Sequence, residues 1–108
     1  MTLVFADGKV TTTNSEQTLF DIIADQFFAI WLFFHNMTPT ETMNLKIYVK
    51  DKNTNTMRLY QNSNIIYSDI SDTPAICIPY LPSKEVKVTI QRTAGSDKVI
   101  TWQRCEIV

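Results

Sequence analysis

Histidine is almost missing from this chain: one residue, His35, stands among 108, beside two cysteines, two glycines and four prolines. Nucleophilic and acid/base catalysis usually place a His base against a nucleophile. His35 has no serine or cysteine near it in sequence and reads as a strand-end or loop residue. Cys77 and Cys105 lie far apart, without the C-x-x-C spacing of a zinc or redox site. They read as buried thiols, or as a disulfide if the protein matures in an oxidising place. The eleven carboxylates are scattered, with no pair that stands out as two groups forced to different pKa values. An excess of either charge is also lacking: ten basic against eleven acidic residues give a net charge of −1. That excludes bulk attraction to nucleic acid or an anionic membrane. Long apolar runs are lacking too. Phe27 to Phe34 is the longest, at 8 residues, where a spanning helix needs about 20. The N-terminus has no basic region followed by an apolar stretch, so no signal peptide is expected. The expectation is no enzyme, no metal or other cofactor, no nucleic acid, no membrane and no small-molecule substrate.

What is abundant points to strands. Thr, Ile, Val and the aromatics make up 45 of the 108 residues, against 5 Ala, 6 Leu and 4 Glu. β-Branched and aromatic side chains suit a pleated, half-buried surface better than a helix. Asn44 to Lys50 alternates cleanly, with Leu45, Ile47 and Val49 on one side and Lys46, Tyr48 and Lys50 on the other. Asp51 to Asn55 is turn chemistry, in which Asn and Asp take left-handed conformations in a chain with little glycine. Thr56 to Tyr60 returns as the hairpin partner. Asp7-Gly8 carries the two-residue hairpin signal, so residues 1–13 are expected to form an N-terminal hairpin or arm. Ile65 to Ser68 and Ala75 to Ile78 are expected as short strands. Glu85 to Arg92 and Lys98 to Ile107 are expected to close the chain as a hairpin around Thr93 to Ser96.

The stretch from Thr18 to Phe34 has two readings. Thr13-x-x-Glu16 resembles a capping box, and Leu19, Ile22, Ile23, Phe27, Ile30 and Phe34 share one helical face. The opposite face would start polar and end fully apolar, which a surface helix should not do. Two strands, Thr18 to Ile23 and Phe27 to His35, are preferred. The chain then holds eight to ten short strands in one domain over residues 1–108, an all-β antiparallel β-sandwich of jelly-roll or immunoglobulin-like kind. Ile30, Leu32, Ile47, Val49, Val86, Val88 and Ile90 are its expected core.

Three motifs are weighed and set aside. Asp51-x-Asn53-x-Asn55 resembles the opening of a calcium loop, but Thr56 replaces the Gly and Asn62 the bidentate Glu. Asn36-Met37-Thr38 matches a glycosylation acceptor without a secretory signal. Lys46, Tyr48 and Lys50, with Arg58 and Tyr60, come nearest to a nucleic-acid face, yet read better as the solvent side of a sheet.

The anomaly is the aromatic run itself. As a strand it aims Phe28, Ile30, Leu32 and Phe34 one way and Phe27, Ala29, Trp31 and Phe33 the other, so both faces are apolar. One face fills the core. The other is covered either by the N-terminal hairpin or the Met37 to Met43 loop, or by another subunit. Phe27, Trp31 and Phe33 are the candidate interface residues.

The stretches Glu16 to Ile22, Ile30 to Leu32 with Asn36-Met37, Glu41 to Asp51, and Gln91 to Gly95 resemble small β-sandwich proteins encoded among the virion structural genes of tailed phages and archaeal viruses. The resemblance runs from about Glu16 to the C-terminus and contains no catalytic or binding motif. It implies a non-enzymatic virion component, such as a capsid, decoration or other shell protein, partnered by its own copies or by other virion structural proteins. The location it implies is the virion; otherwise the cytoplasm is expected. A carbohydrate-binding or adhesive module is the competing expectation, with Trp102, Tyr60, Tyr67 and Tyr80 as stacking platforms.

Overall fold

The computed structural model describes residues 2–23 and 27–107, with eight strands and one helical turn. The strands are β1 (Leu3–Thr11), β2 (Gln17–Ile23), β3 (Phe27–Phe33), β4 (Thr42–Asp51), β5 (Thr56–Ile66), β6 (Ala75–Pro79), β7 (Glu85–Ala94) and β8 (Val99–Ile107), with α1 (Tyr67–Ile70) after β5. They form two four-stranded antiparallel sheets, β1-β8-β3-β6 and β2-β7-β4-β5. Successive strands alternate between the sheets except at the β4–β5 hairpin, which is the strand order of a jelly roll. The all-β antiparallel sandwich is therefore the fold, and the helical reading of Thr18 to Phe34 falls away. The break expected at Ala24 to Gln26 lies outside the described residues.

The core follows the period-two pattern. Ile30 and Leu32 from the first sheet and Leu45, Ile47, Val86, Val88 and Ile90 from the second are buried. Val49 differs slightly, lying half-buried at the edge of that cluster. Phe34, just beyond β3, and Met37 and Met43 are buried with them. Trp102 meets Phe20 edge-on, with ring centroids 4.9 Å apart, the geometry aromatic quadrupoles prefer.

Three local expectations are corrected. Asp7-Gly8 is no turn: β1 runs straight through it, with Asp7 opposite Gln103 and Gly8 opposite Trp102. Glycine is needed there because a Cβ would overlap the Trp102 indole. The N-terminus is thus an edge strand of the sandwich and not a separate hairpin or arm. β7 and β8 exist but do not pair with each other; they are central strands of opposite sheets. Gly95, at φ +82°, turns the chain across the sandwich between them. Ile65 and Ile66 end the long β5, and Tyr67 to Ile70 curl into α1, in place of a separate strand over Ile65 to Ser68. Thr13 and Glu16 cap no helix: the Thr13 amide donates to Gln17 Oε1 at 3.0 Å.

Candidate functional site

Alternation along β3 sends Trp31 and Phe33 to the outer face of the β1-β8-β3-β6 sheet, opposite in sense to Ile30 and Leu32, which are 0% exposed. In register, Trp31 stands beside Cys77 and Gln103, and Ala29 beside Pro79 and Cys105. Further across, Phe5 pairs with Cys105. These neighbours make a shallow groove of about 540 Å³, lined by Leu3, Phe5, Trp31, Cys77 and Tyr80 among others and by no charged side chain. Leu3 is 51%, Phe5 58% and Trp31 38% exposed. Phe33 lines a second hollow of about 610 Å³ on the same face with Phe5, Asp7, Lys9 and Thr101. Two of the three candidate interface residues, Trp31 and Phe33, therefore share one outward apolar surface; the Phe27 side chain lies outside the described residues. Neither expected cover lies over Trp31: β1 lies in the same sheet, beyond β8, and Met37 and Met43 are buried in the core. Leu3 and Phe5 join the surface because β1 runs straight on through Asp7-Gly8 along β8.

Cys77 was expected to be buried but is exposed on this face, while Cys105 is buried; both are free thiols. Partial desolvation pushes the Cys77 thiol above its ordinary pKa, so it is mostly protonated near neutrality.

The outer face of the other sheet is built from charges. Glu16 Oε2 accepts hydrogen bonds from Thr89 Oγ1 at 2.7 Å and Tyr48 Oη at 2.8 Å, and its Oε1 lies 3.8 Å from Lys46 Nζ. The two hydroxyls, Thr89 first, hold Glu16 below the usual carboxylate range. Lys87 sits 5.4 Å over the Tyr48 ring, a cation–π distance. Lys50 Nζ reaches Glu85 Oε1 at 3.3 Å. Arg58 pairs with Asp51 at 3.4 Å, and a bulge between Ile47 and Tyr48 sets Leu59 opposite Tyr48 and leaves Tyr60 without a cross-strand partner. Lys46, Lys50 and Arg58, weighed above as a nucleic-acid face, are thus each matched to an acid.

Two acidic features escaped the sequence reading. Asp21 and Glu85 share a hydrogen bond that holds Asp21 up and Glu85 down in pKa. Glu41 is 1% exposed. Its Oε1 accepts from the Thr38 amide and hydroxyl, both at 2.8 Å, and its Oε2 from Thr40 Oγ1 and the Ser96 amide. Lys98 Nζ lies 3.9 Å away. The Thr40 hydroxyl, with Thr38 and the Ser96 amide, lowers its pKa to about 2 against the pull of burial. This is a staple, tying the β3–β4 loop to the β7–β8 turn, and a Cβ on Gly95 would strike Thr40 O and Glu41.

The remaining motifs are structural. The Asp51 carboxylate accepts from the Asn53 amide at 3.0 Å, and Asn55 takes φ 57°, a solvated turn. Asn36 donates to Val99 O at 3.0 Å. His35 is exposed beyond β3. Among the described residues no three His, Cys, Asp or Glu side chains gather as a metal site. Of the expected sugar platforms, Trp102 packs against Phe20 and Tyr67 is half-buried, leaving Tyr60 and Tyr80 exposed.

No protein-family profile and no curated protein matches the sequence. Solved structures that share the fold include the following two. One is from Bacillus endospore appendages, described as disulfide-linked pili: TM-score 0.57, 8% identity, covering 99% of this chain and 88% of that one. The other is the Yersinia pseudotuberculosis-derived mitogen: TM-score 0.50, 11% identity, covering 95% of this chain and 84% of that one.

Proposed function

We propose that this chain is a non-enzymatic structural subunit that self-assembles, or docks on a larger shell, through the outer face of the β1-β8-β3-β6 sheet. The observation that carries this reading is the uncharged groove around Trp31, with Leu3 and Phe5 half or more exposed beside it. Contiguous apolar surface of this kind is rare on monomers, and burying each large side chain contributes about 1.5 to 3 kcal/mol. The setting is a virion, with the chain as a capsid, decoration or other shell component. Support comes from the textural likeness to virion β-sandwiches and from the use of jelly rolls in viral capsids. The Bacillus neighbour is described as forming pili, which fits a jelly roll used as a building block.

The test is Trp31→Asp with sedimentation analysis and circular dichroism. A variant that folds but loses the wild-type assembly supports the reading; one that folds and keeps it overturns the assignment of this face. A second reading, an adhesive or carbohydrate-binding module, is favoured by Tyr80 and Trp31 lining the same groove, since jelly rolls also serve as lectins. It is distinguished by a monomeric wild type that binds sugar and loses that binding on Tyr80→Ala.

A further inference from the structure

The four edge strands of the sandwich differ in how they are protected. β2 and β5 are each interrupted by a bulge, and β6 has five residues and ends in Pro79. Bulges, shortness, proline and edge charges are the usual devices that stop an edge from recruiting another strand. β1 has only the last, in Asp7 and Lys9. It runs nine residues without proline, in unbroken register with β8 on one side only. Leu3, Val4 and Phe5 are exposed on both of its faces.

The middle of β1 carries one acid and one base two residues apart on the face that bears Phe5. Their neighbours across β8 are uncharged: Gln103 beside Asp7 and Thr101 beside Lys9. Among the described residues neither Asp7 nor Lys9 enters an ion pair, whereas Lys46, Lys50, Arg58, Arg92 and Lys98 all do.

We propose that β1 pairs antiparallel with β1 of a second copy about a two-fold axis at Gly8, joining two sheets into one. It rests on the self-assembling reading above but uses the sheet edge in place of its face. An isologous contact must be self-complementary, and side chains directly opposite must share a face, so the axis falls on a single residue. At Gly8 it sets Asp7 against the partner's Lys9, twice by symmetry. At Asp7 it would set two carboxylates against each other. At Ala6 it would put Asp7 against the partner's Phe5 and Lys9 against the partner's Leu3. Opposite charges stabilise a cross-strand pair and like charges weaken it, so the Gly8 axis is selected. Gly8 also places no side chain at the axis, since its one possible Cβ direction is taken by the Trp102 indole.

Charge exchange tests the register. Asp7→Lys alone and Lys9→Asp alone each replace two attractions with two repulsions and are expected to raise the dimer dissociation constant about tenfold or more. The double exchange Asp7→Lys with Lys9→Asp is expected to restore the wild-type value, read by sedimentation, with circular dichroism confirming the fold. If a single exchange prevents folding, Asp7→Asn and Lys9→Gln remove the attraction without repulsion and are expected to weaken the dimer about fivefold. Single variants that assemble like wild type, or a double variant that folds but stays monomeric, overturn the pairing. If they do so while Trp31→Asp abolishes assembly, the edge proposal alone falls. A wild type that is monomeric at every concentration overturns the pairing and self-assembly together and leaves only docking on a shell built by other proteins.

Discussion

The two sheets turn apolar faces toward each other and different chemistries toward water. On the β2-β7-β4-β5 sheet the outer side chains form a connected polar surface, in which Glu16 joins Thr89, Tyr48 and Lys46, and Glu85 joins Asp21 and Lys50. Both its edge strands are bulged. On the β1-β8-β3-β6 sheet the outer face carries Trp31, Phe33, Phe5, Leu3 and Cys77, with Asp7 and Lys9 at its rim, and the edge at β1 is long and regular. One sheet is finished as a solvent surface and the other is not. Neither a bulge nor a charge network covers β1 and the apolar groove at Trp31, the surfaces through which assembly is proposed.

The sharpest way to break this comparison is to cross β3 from one face to the other. Leu32→Ala removes a fully buried side chain and is expected to cost about 3 kcal/mol in denaturant unfolding. Trp31→Asp, one residue away, is expected to leave that unfolding midpoint nearly unchanged while altering the sedimenting mass. Equal loss of stability from both would show that the two faces of β3 are buried within one molecule.

Gly8→Val tests the close approach of β1 to β8. A side chain there must displace the Trp102 ring, and overpacking of this kind costs about 1 to 3 kcal/mol. A crystal structure of the variant with Trp102 unmoved would contradict it.

The Glu41 staple predicts a pH effect. Its folded-state pKa of about 2 lies below the ordinary 4.5, so its contribution is fully present above about pH 4.5 and is lost as pH falls toward 2. Glu41→Gln is expected to lower the melting temperature at pH 7 by roughly 5 °C and to converge with wild type in acid. A constant gap between the two melting curves from pH 7 to pH 2 would show that the charge of Glu41 is immaterial.

The smallest effect belongs to the solvent surface. Lys46→Met removes a partly exposed ion pair at 3.8 Å, and pairs of this kind contribute about 0 to 1 kcal/mol. A larger loss would mean that the Glu16 network acts as one unit.

Strand identity was legible wherever one face is buried and the other wet, because a period of two follows from backbone geometry alone: Leu45, Ile47, Val86, Val88 and Ile90 announce themselves this way. The two-faced run at Trp31 was legible for the same reason, and so was the candidate surface. Strand partnership was not. Glu85 to Arg92 and Lys98 to Ile107 look like a hairpin, since a short polar segment with a glycine joins two strands. Whether such a segment folds a hairpin or crosses between sheets depends on which sheet has room for each strand. Asp7-Gly8 misled similarly: the residue pair that permits a tight turn also permits the Trp102 ring to approach a straight strand. Glu41 carried no local signal, because its partners at Thr38, Ser96 and Lys98 come from two different connections.

The sequence by itself therefore determined the all-β class, the core positions and the existence of a second apolar face on β3, all of which depend on neighbours along the chain. The tertiary structure alone decided the jelly-roll order, the burial of Glu41 and the joining of Leu3 and Phe5 to Trp31. Each of those depends on a contact between residues far apart in sequence, where side-chain period carries no information and the packing of two sheets chooses.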